Sequence, residues 1–308
     1  MVPAFIDEGQ VLKLFNAEGL VEDVSKALIN LHRGLGNVPD RVGIHVKGNW
    51  WGLMFGHVEG FGVAVKVVNM YPGNRARGLR TIQGIVVFFD EDTGTPLAMI
   101  DAPSLTGLRT AAASALSTIV VKAPTEVLGF IGAGEQARYH LMLFSKLFKI
   151  SKVIVNSRSR GSALNLASQS RSIGIDAEVA DDPSVVVSKS STVIAATTST
   201  KPVITVKPRE GSHVISVGAP KPVVEVERSV LEGASCILVD TRDGVLRESG
   251  EDFSGLRLIE LAEVLTGEES CRFNGGYTVY KSVGFAALDL AAAYHIYAAF
   301  KATKQPSS

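Results

Sequence analysis

Arg41, Lys66 and Arg109 are the side chains of this sequence best suited to gripping a small anionic substrate. Lys66 lies within Phe61-Gly62-Val63-Ala64-Val65-Lys66-Val67-Val68, and a charge inside so apolar a run is costly unless an opposite charge meets it. It is expected to face a cavity or an anion; the plainer reading is an edge-strand lysine that deters aggregation. Arg109, in Ser104-Leu105-Thr106-Gly107-Leu108-Arg109-Thr110-Ala111, falls in what reads as the first turn of a long Ala-rich helix capped by Ser104 or Thr106. A cation there opposes the helix dipole, whereas arginine together with free N–H groups makes a carboxylate or phosphate site. Arg41, after Pro39-Asp40 and at the start of a strand, reads on its own as a surface residue.

A second constellation has the form of a nucleotide site. Val127-Leu128-Gly129-Phe130-Ile131 is an apolar strand that runs into Gly132-Ala133-Gly134-Glu135-Gln136-Ala137 and then a helix-like stretch. In this GxGxxA loop Gly132 permits the tight turn, Gly134 lets backbone N–H groups approach a pyrophosphate, and Ala137 allows close helix–strand packing. The other reading is an ordinary strand-to-helix turn that needed glycines. After the next strand, where an NAD site would carry an acid for the ribose, the chain reads Asn156-Ser157-Arg158-Ser159-Arg160. Hydroxyls and guanidinium groups bind a 2′-phosphate that an acid would repel, so NADP(H) is preferred and NAD(H) remains possible. Alternatively, Arg158 and Arg160 only open the following helix.

These groups need elements to position them. Residues 1–115 show β-like runs at 41–46, 50–55, 62–70, 82–89 and 96–101 after a short strand and an amphipathic helix spanning 8–31. From 116 to 275 strands and helices alternate, with strands near 127–131, 152–156, 175–179, 192–197, 212–217 and 235–240. That alternation gives a parallel, doubly wound sheet. The Ala-rich segment 285–302 is a terminal helix expected to return to the first domain. The fold class is therefore α/β: a Rossmann domain (116–275) beside a mixed α+β domain (1–115 and 276–308) for substrate binding.

Composition narrows the partners. The 308 residues are 46% hydrophobic with a formal net charge of zero, ample for two cores and without a basic block for nucleic acid or a membrane surface. No signal peptide and no uninterrupted apolar stretch of spanning length is read. Cys236 and Cys271, far apart and without metal spacing, read as buried small hydrophobes in a cytoplasmic protein. Six scattered histidines form no metal motif.

The combination of Pro39-x-Arg41, Lys66-Val67-Val68-Asn69, Pro72-Gly73-Asn74, Thr106-Gly107-Leu108-Arg109-Thr110-Ala111-Ala112, the GxGxxA loop and Lys281-Ser282-Val283-Gly284 resembles the ornithine cyclodeaminase/mu-crystallin family over nearly the whole chain. The resemblance implies a homodimer built on the first domain, a substrate carboxylate gripped by Arg41, Lys66 and Arg109, and a cofactor cleft lined by Thr197, Thr198, Ser199, Val217 and Gly218. Two departures from the family's cyclodeaminases matter. Their glutamate for the distal amine of ornithine is matched here by Gly52, and their proton-handling aspartate by Pro220. Neither residue can pair an ammonium or accept a proton. Gly218-Ala219-Pro220-Lys221-Pro222 is instead similar to the ketimine and cyclic imino acid reductases of the family. The resemblance thus implies hydride transfer to 1-pyrroline-2-carboxylate or 1-piperideine-2-carboxylate, with Lys66 or an ordered water protonating nitrogen. Alanine dehydrogenase-like amination of pyruvate and a non-catalytic ligand-sequestering role are the alternatives. Trp50 and Trp51 are candidates for walling the substrate ring, Asp240 for capping a turn, Asp289 for a buried structural hydrogen bond, and Lys281 for an interdomain ion pair.

Overall fold

The computed structural model describes residues 2–304, and the chain divides into two compact units, Met1–Arg109 with Phe285–Ser308, and Thr110–Gly284. The first unit contains, in chain order, β1 (Ala4–Ile6), α1 (Glu8–Leu14), α2 (Ala17–His32), β2 (Gly36–Asn37), β3 (Val42–Val46), β4 (Asn49–Val58), β5 (Gly62–Met70), β6 (Ile82–Phe89), β7 (Pro96–Asp101) and the start of α3 (Ala102–Val121), together with a terminal helix, Ala286–Lys304. Where one amphipathic helix was expected over 8–31 there are two, because Asn16 leaves the helical path and caps α2 by accepting a hydrogen bond from Gly19 N. Among the described residues the strands form a seven-stranded mixed sheet in the order β1-β7-β6-β5-β4-β2, with β3 also paired to β4. Only β1 runs parallel to its neighbour, β7; the other pairings are antiparallel.

Alternation along β4 and β5 sends Met54, Val58, Ala64, Lys66 and Val68 to the buried face. The terminal helix packs there through Tyr294 on Phe61 and Tyr297 on Phe88, with ring centroids 4.9 and 5.5 Å apart. His295 secures it to α2, its Nδ1 2.8 Å from Asp23 Oδ2 and its Nε2 accepting from Asn16 N. Leu53 and Phe55 on β4, and Val42, Ile44 and Val46 on β3, are exposed.

The second unit follows as β8 (Val127–Ile131), α4 (Glu135–Leu147), β9 (Lys152–Asn156), α5 (Arg160–Ser172), β10 (Asp176–Val179), α6 (Pro183–Lys189), β11 (Thr192–Ala195), β12 (His213–Ser216), α7 (Arg228–Glu232), β13 (Cys236–Val239), α8 (Arg242–Glu248), β14 (Leu258–Glu260), α9 (Leu261–Thr266) and β15 (Thr278–Lys281). Among the described residues these make an eight-stranded, all-parallel sheet, β10-β9-β8-β11-β12-β15-β13-β14. Strands β11, β12, β13 and β15 are buried at every position, as a parallel sheet covered on both faces requires. Residues 276–284, expected with the first domain, instead supply β15 to the interior of this sheet, between β12 and β13. The order reverses between β8 and β11, so the carboxyl ends of those strands mark a topological switch point, where open α/β sheets bind ligands.

Helix α3 is long and apolar enough to cross a membrane by length and composition, with a mean hydropathy of 1.2, yet 83% of that window is buried within the protein. Its serines hold buried histidines: Ser114 Oγ lies 2.9 Å from His140 Nε2, and Ser117 Oγ 3.1 Å from His213 Nε2.

Candidate functional site

Lys66 projects from the buried face of β5 and ends 2.7 Å from Asp289 Oδ2, where the two side chains are only 3% and 1% exposed. Arg109 donates from Nε to the other oxygen, Asp289 Oδ1, at 3.0 Å. The anion expected opposite Lys66 is therefore a residue of the chain itself. Burial, joined by the charges of Arg109 and Arg41, pulls the Lys66 ammonium down to about pKa 8 against the opposing pull of Asp289. Burial alone would raise the Asp289 carboxyl; Lys66 and Arg109, with Arg41, hold it below the ordinary aspartate value. Arg41 stands immediately before β3, and its field reaches both partners of the buried ion pair.

Helix α3 starts earlier than the capping residues suggested. Its first residue is Ala102, and Asp101 Oδ2 accepts from Ser104 N at 2.9 Å. Arg109 is thus the eighth residue of the helix, about 10 Å along its axis, and free N–H groups of a first turn do not accompany it. Asp289 is what compensates its charge.

The sheet register brings an aromatic wall to the same face. Met54 pairs with Lys66, Gly52 with Val68 and Trp50 with Met70, so Trp50, Gly52 and Met54 share the Lys66 side. The Trp50 indole lies across Gly52, where a Cβ would collide with its ring. Trp51 takes the alternate direction and donates from Nε1 to Tyr71 Oη at 3.0 Å.

In the parallel unit, the nucleotide-loop residues gather at the switch point. Gly132 has φ +95°, and a Cβ there would strike the Ala196 carbonyl, so only glycine fits between β8 and the end of β11. Gly134 caps α4 without a side-chain bond and has open space where a Cβ would stand, while Ala137 is fully buried. Ala133 and Glu135 complete the turn. The buried Oε1 of Gln136 has no hydrogen-bond partner. The open helix N-terminus at Gly134, which nothing in the chain fills, fits a diphosphate-bearing cofactor. At the end of β9, Asn156 Nδ2 donates to Ala180 O, Ser159 Oγ caps α5, and Ser157 and exposed Arg158 lie between them.

Thr197, Thr198 and Ser199 follow β11, and Val217 and Gly218 follow β12. A buried carboxylate that sequence reasoning missed ties the two segments together. Glu225 accepts from Thr197 N at 2.6 Å, Gly218 N at 2.8 Å and Ser216 Oγ at 2.7 Å. Glu251 in turn accepts from Glu225 N at 2.9 Å and from Ser249 Oγ, and pairs with Lys281 Nζ at 2.9 Å. Burial would raise the Glu251 carboxyl, but Lys281 and these donors keep it below the usual glutamate value. Lys281 also donates to Ser216 Oγ and Gly218 O, so the expected interdomain ion pair is instead internal to the parallel unit. The apolar setting of Glu225, in Val223-Val224-Glu225-Val226, carried the same signal that singled out Lys66.

Three further residues have structural partners. Asp240 accepts from Thr241 N, Ser282 Oγ and Gly284 N, anchoring the end of β13. Cys236 and Cys271, read from sequence as separate small hydrophobes, form a disulfide with Cα atoms 5.6 Å apart. Folding closes a gap that linear spacing leaves wide, and the argument for a reducing compartment from unpaired thiols falls with it. Among the described residues no group of His, Cys, Asp or Glu is placed to hold a metal ion.

Fold and site together define a nucleotide-binding α/β protein with a cationic cluster on a separate mixed sheet. The model of the ornithine cyclodeaminase/mu-crystallin family matches residues 1–304, and the chain belongs to that family. Ketimine reductase mu-crystallin of Rattus norvegicus is 33% identical over 248 residues, 79% of this chain and 77% of that protein. Among solved structures, the Δ1-pyrroline-2-carboxylate reductase of Thermococcus litoralis, in complex with NADH and L-proline, superposes with a TM-score of 0.90 at 30% identity over 99% of both chains. An archaeal alanine dehydrogenase dimer with bound NAD gives 0.89 at 26% identity, covering 100% of this chain and 98% of that one.

Proposed function

We propose that this chain, a nicotinamide-dependent oxidoreductase acting on C–N bonds, reduces a cyclic ketimine, 1-pyrroline-2-carboxylate or 1-piperideine-2-carboxylate, to L-proline or L-pipecolate. The observation that carries this reading is the buried cluster of Lys66, Arg109 and Asp289, with Arg41 nearby, in which the cations outnumber the anion. Such a cluster takes a carboxylate. Arg109 supplies a planar fork for its two oxygens, and Lys66 and Arg41 supply point charge that also draws electrons from the adjacent C=N carbon.

When bound, the cofactor would supply the hydride that this carbon accepts; Gly132, Ala133, Gly134, Glu135, Gln136 and Ala137 would hold its diphosphate, and Thr197, Thr198, Ser199, Val217 and Gly218 would line its cleft. Lys66, with its pKa drawn down to about 8, or an ordered water gives the proton that nitrogen takes up. Asn156, Ser157, Arg158 and Ser159 favour a 2′-phosphate, hence NADP(H) over NAD(H). The Trp50 indole, lying across Gly52, the position that matches a cyclodeaminase's amine-binding glutamate, walls the ring of a cyclic substrate that carries no distal amine. The exposed apolar face of Leu53, Phe55, Val42, Ile44 and Val46 is covered by a second copy of the chain in a homodimer.

Initial rates of NADPH and NADH oxidation with each cyclic imine, and with pyruvate plus ammonia, test the reading. Fastest turnover of a cyclic imine with NADPH is expected; preference for pyruvate plus ammonia overturns it in favour of an alanine dehydrogenase.

A further inference from the structure

Asp289 sits in the first turn of the terminal helix, within the apolar run Ala286-Ala287-Leu288-Asp289-Leu290-Ala291. The helix dipole favours an acid there only modestly, whereas burying an unpaired carboxylate costs far more. Helix stability alone therefore does not account for it. The compensation comes from Lys66 on β5 and Arg109 on α3, two side chains far apart in sequence that one carboxylate contacts with its two oxygens. Asp289 uses only the Nε donor of Arg109, so four of the five guanidinium N–H groups remain for other partners. Thr106 Oγ1, 3.5 Å from Lys66 Nζ, is a weak second contact and brings no charge.

We propose that Asp289 is the positioning residue of the substrate grip: its single carboxylate fixes the separation of Lys66 and Arg109 and leaves the cluster with a positive excess that an anionic substrate completes. This rests on the imino acid reading above, and Asp289 itself touches no substrate. The arrangement works by subtraction. With no internal anion, two desolvated cations would repel each other and Lys66 would shed its proton; with two, a substrate carboxylate would be turned away. The charged groups acting on Lys66 are Asp289, which stabilises the ammonium, and Arg109 and Arg41, which oppose it together with burial.

The test is a titration of Lys66 itself in the full-length protein, by NMR of lysine labelled at Cε and Nζ, with the signal assigned by its loss in Lys66→Arg. Wild type is expected to titrate near pH 8 and Asp289→Asn at least one pH unit lower, with the basic limb of kcat/KM for the cyclic imine moving by the same amount. Asp289→Glu, which keeps the charge but displaces it, is expected to retain the titration while raising KM several-fold more than it lowers kcat. An unchanged Lys66 titration in Asp289→Asn overturns the proposal. Should that variant not fold, a KM within twofold of wild type in Asp289→Glu overturns it instead. Because the titration needs no substrate, a shifted Lys66 without imine turnover refutes the substrate reading and leaves the role of Asp289 standing.

Discussion

At the level of single residues, charge in an apolar setting was the signal that read most directly from sequence. Lys66 stood out because strand neighbours on both sides are aliphatic, and it is indeed buried against an opposite charge. Asp289 showed the same anomaly, but its pairing with Lys66 and Arg109 joins positions too distant in sequence for spacing to suggest. Replacing Lys66 by Met keeps most of its volume and removes the cation. We expect kcat/KM for the imine to fall at least 100-fold, and stability to fall by about 2–4 kcal/mol because Asp289 keeps only one partner. Urea denaturation and steady-state rates measure the two effects separately; a Lys66→Met enzyme with wild-type KM for the imine contradicts the grip. Arg109→Lys retains charge without the planar fork, and a 10- to 100-fold rise in KM with a smaller change in kcat is expected, on the order of what a lost bidentate contact costs.

At the level of elements, strand positions in both sheets followed from hydrophobic periodicity, with β5, β6, β7, β8 and β9 ending where the pattern ends. Short β14 and β15 were not legible, since strands of three or four residues are too short to show a periodicity. Nor was the start of α3, where Asp101, a strand residue, does the capping. The junction of β11 and β12 with Glu225 gives a sharp test. A Cβ on Gly218 would meet the Glu225 carboxyl, so Gly218→Ala should displace it, free the Thr197 N–H and weaken cofactor binding at least tenfold by fluorescence titration, with the thermal midpoint changed far less. Unchanged cofactor affinity would show that Glu225 does not support that edge. The histidines facing α3 give a pH dependence. Burial depresses His140 to about 4 and His213 to about 3 from an unfolded value of about 6.5. Both are neutral in the fold, so the stability they confer is fully present above pH 6.5. It is lost as pH falls from 6.5 toward the folded values, at up to about 1.4 kcal/mol per pH unit for each, and levels off below them. Denaturation at pH 7 and pH 4.5 should show this loss, and a smaller one in His213→Asn if that variant folds.

For the molecule as a whole, the two-domain α/β plan and the site of the nucleotide loop were legible because a strand–GxGxxA–helix sequence leaves few alternatives. The Cys236–Cys271 bridge was not, because it depends on how the segment after α9 returns to β13. Closing that 35-residue separation should stabilise the fold by about 3–4 kcal/mol on chain-entropy grounds, so Cys236→Ser with Cys271→Ser should lower the denaturation midpoint while leaving KM nearly unchanged. Assembly is tested on the exposed sheet face, where Phe55→Asp should convert a dimer to a monomer by sedimentation velocity; a monomeric wild type contradicts the proposed interface. The central claim is transfer of hydride to the imine carbon of a cyclic imino acid. Its most direct test is turnover of 1-pyrroline-2-carboxylate with NADPH deuterated at C4 of the nicotinamide on the transferred face, followed by mass spectrometry and NMR of the product. L-proline carrying one deuterium at Cα, or L-pipecolate so labelled from 1-piperideine-2-carboxylate, is the expected result, and failure to form either, or formation of alanine alone when pyruvate and ammonia are also supplied, contradicts it.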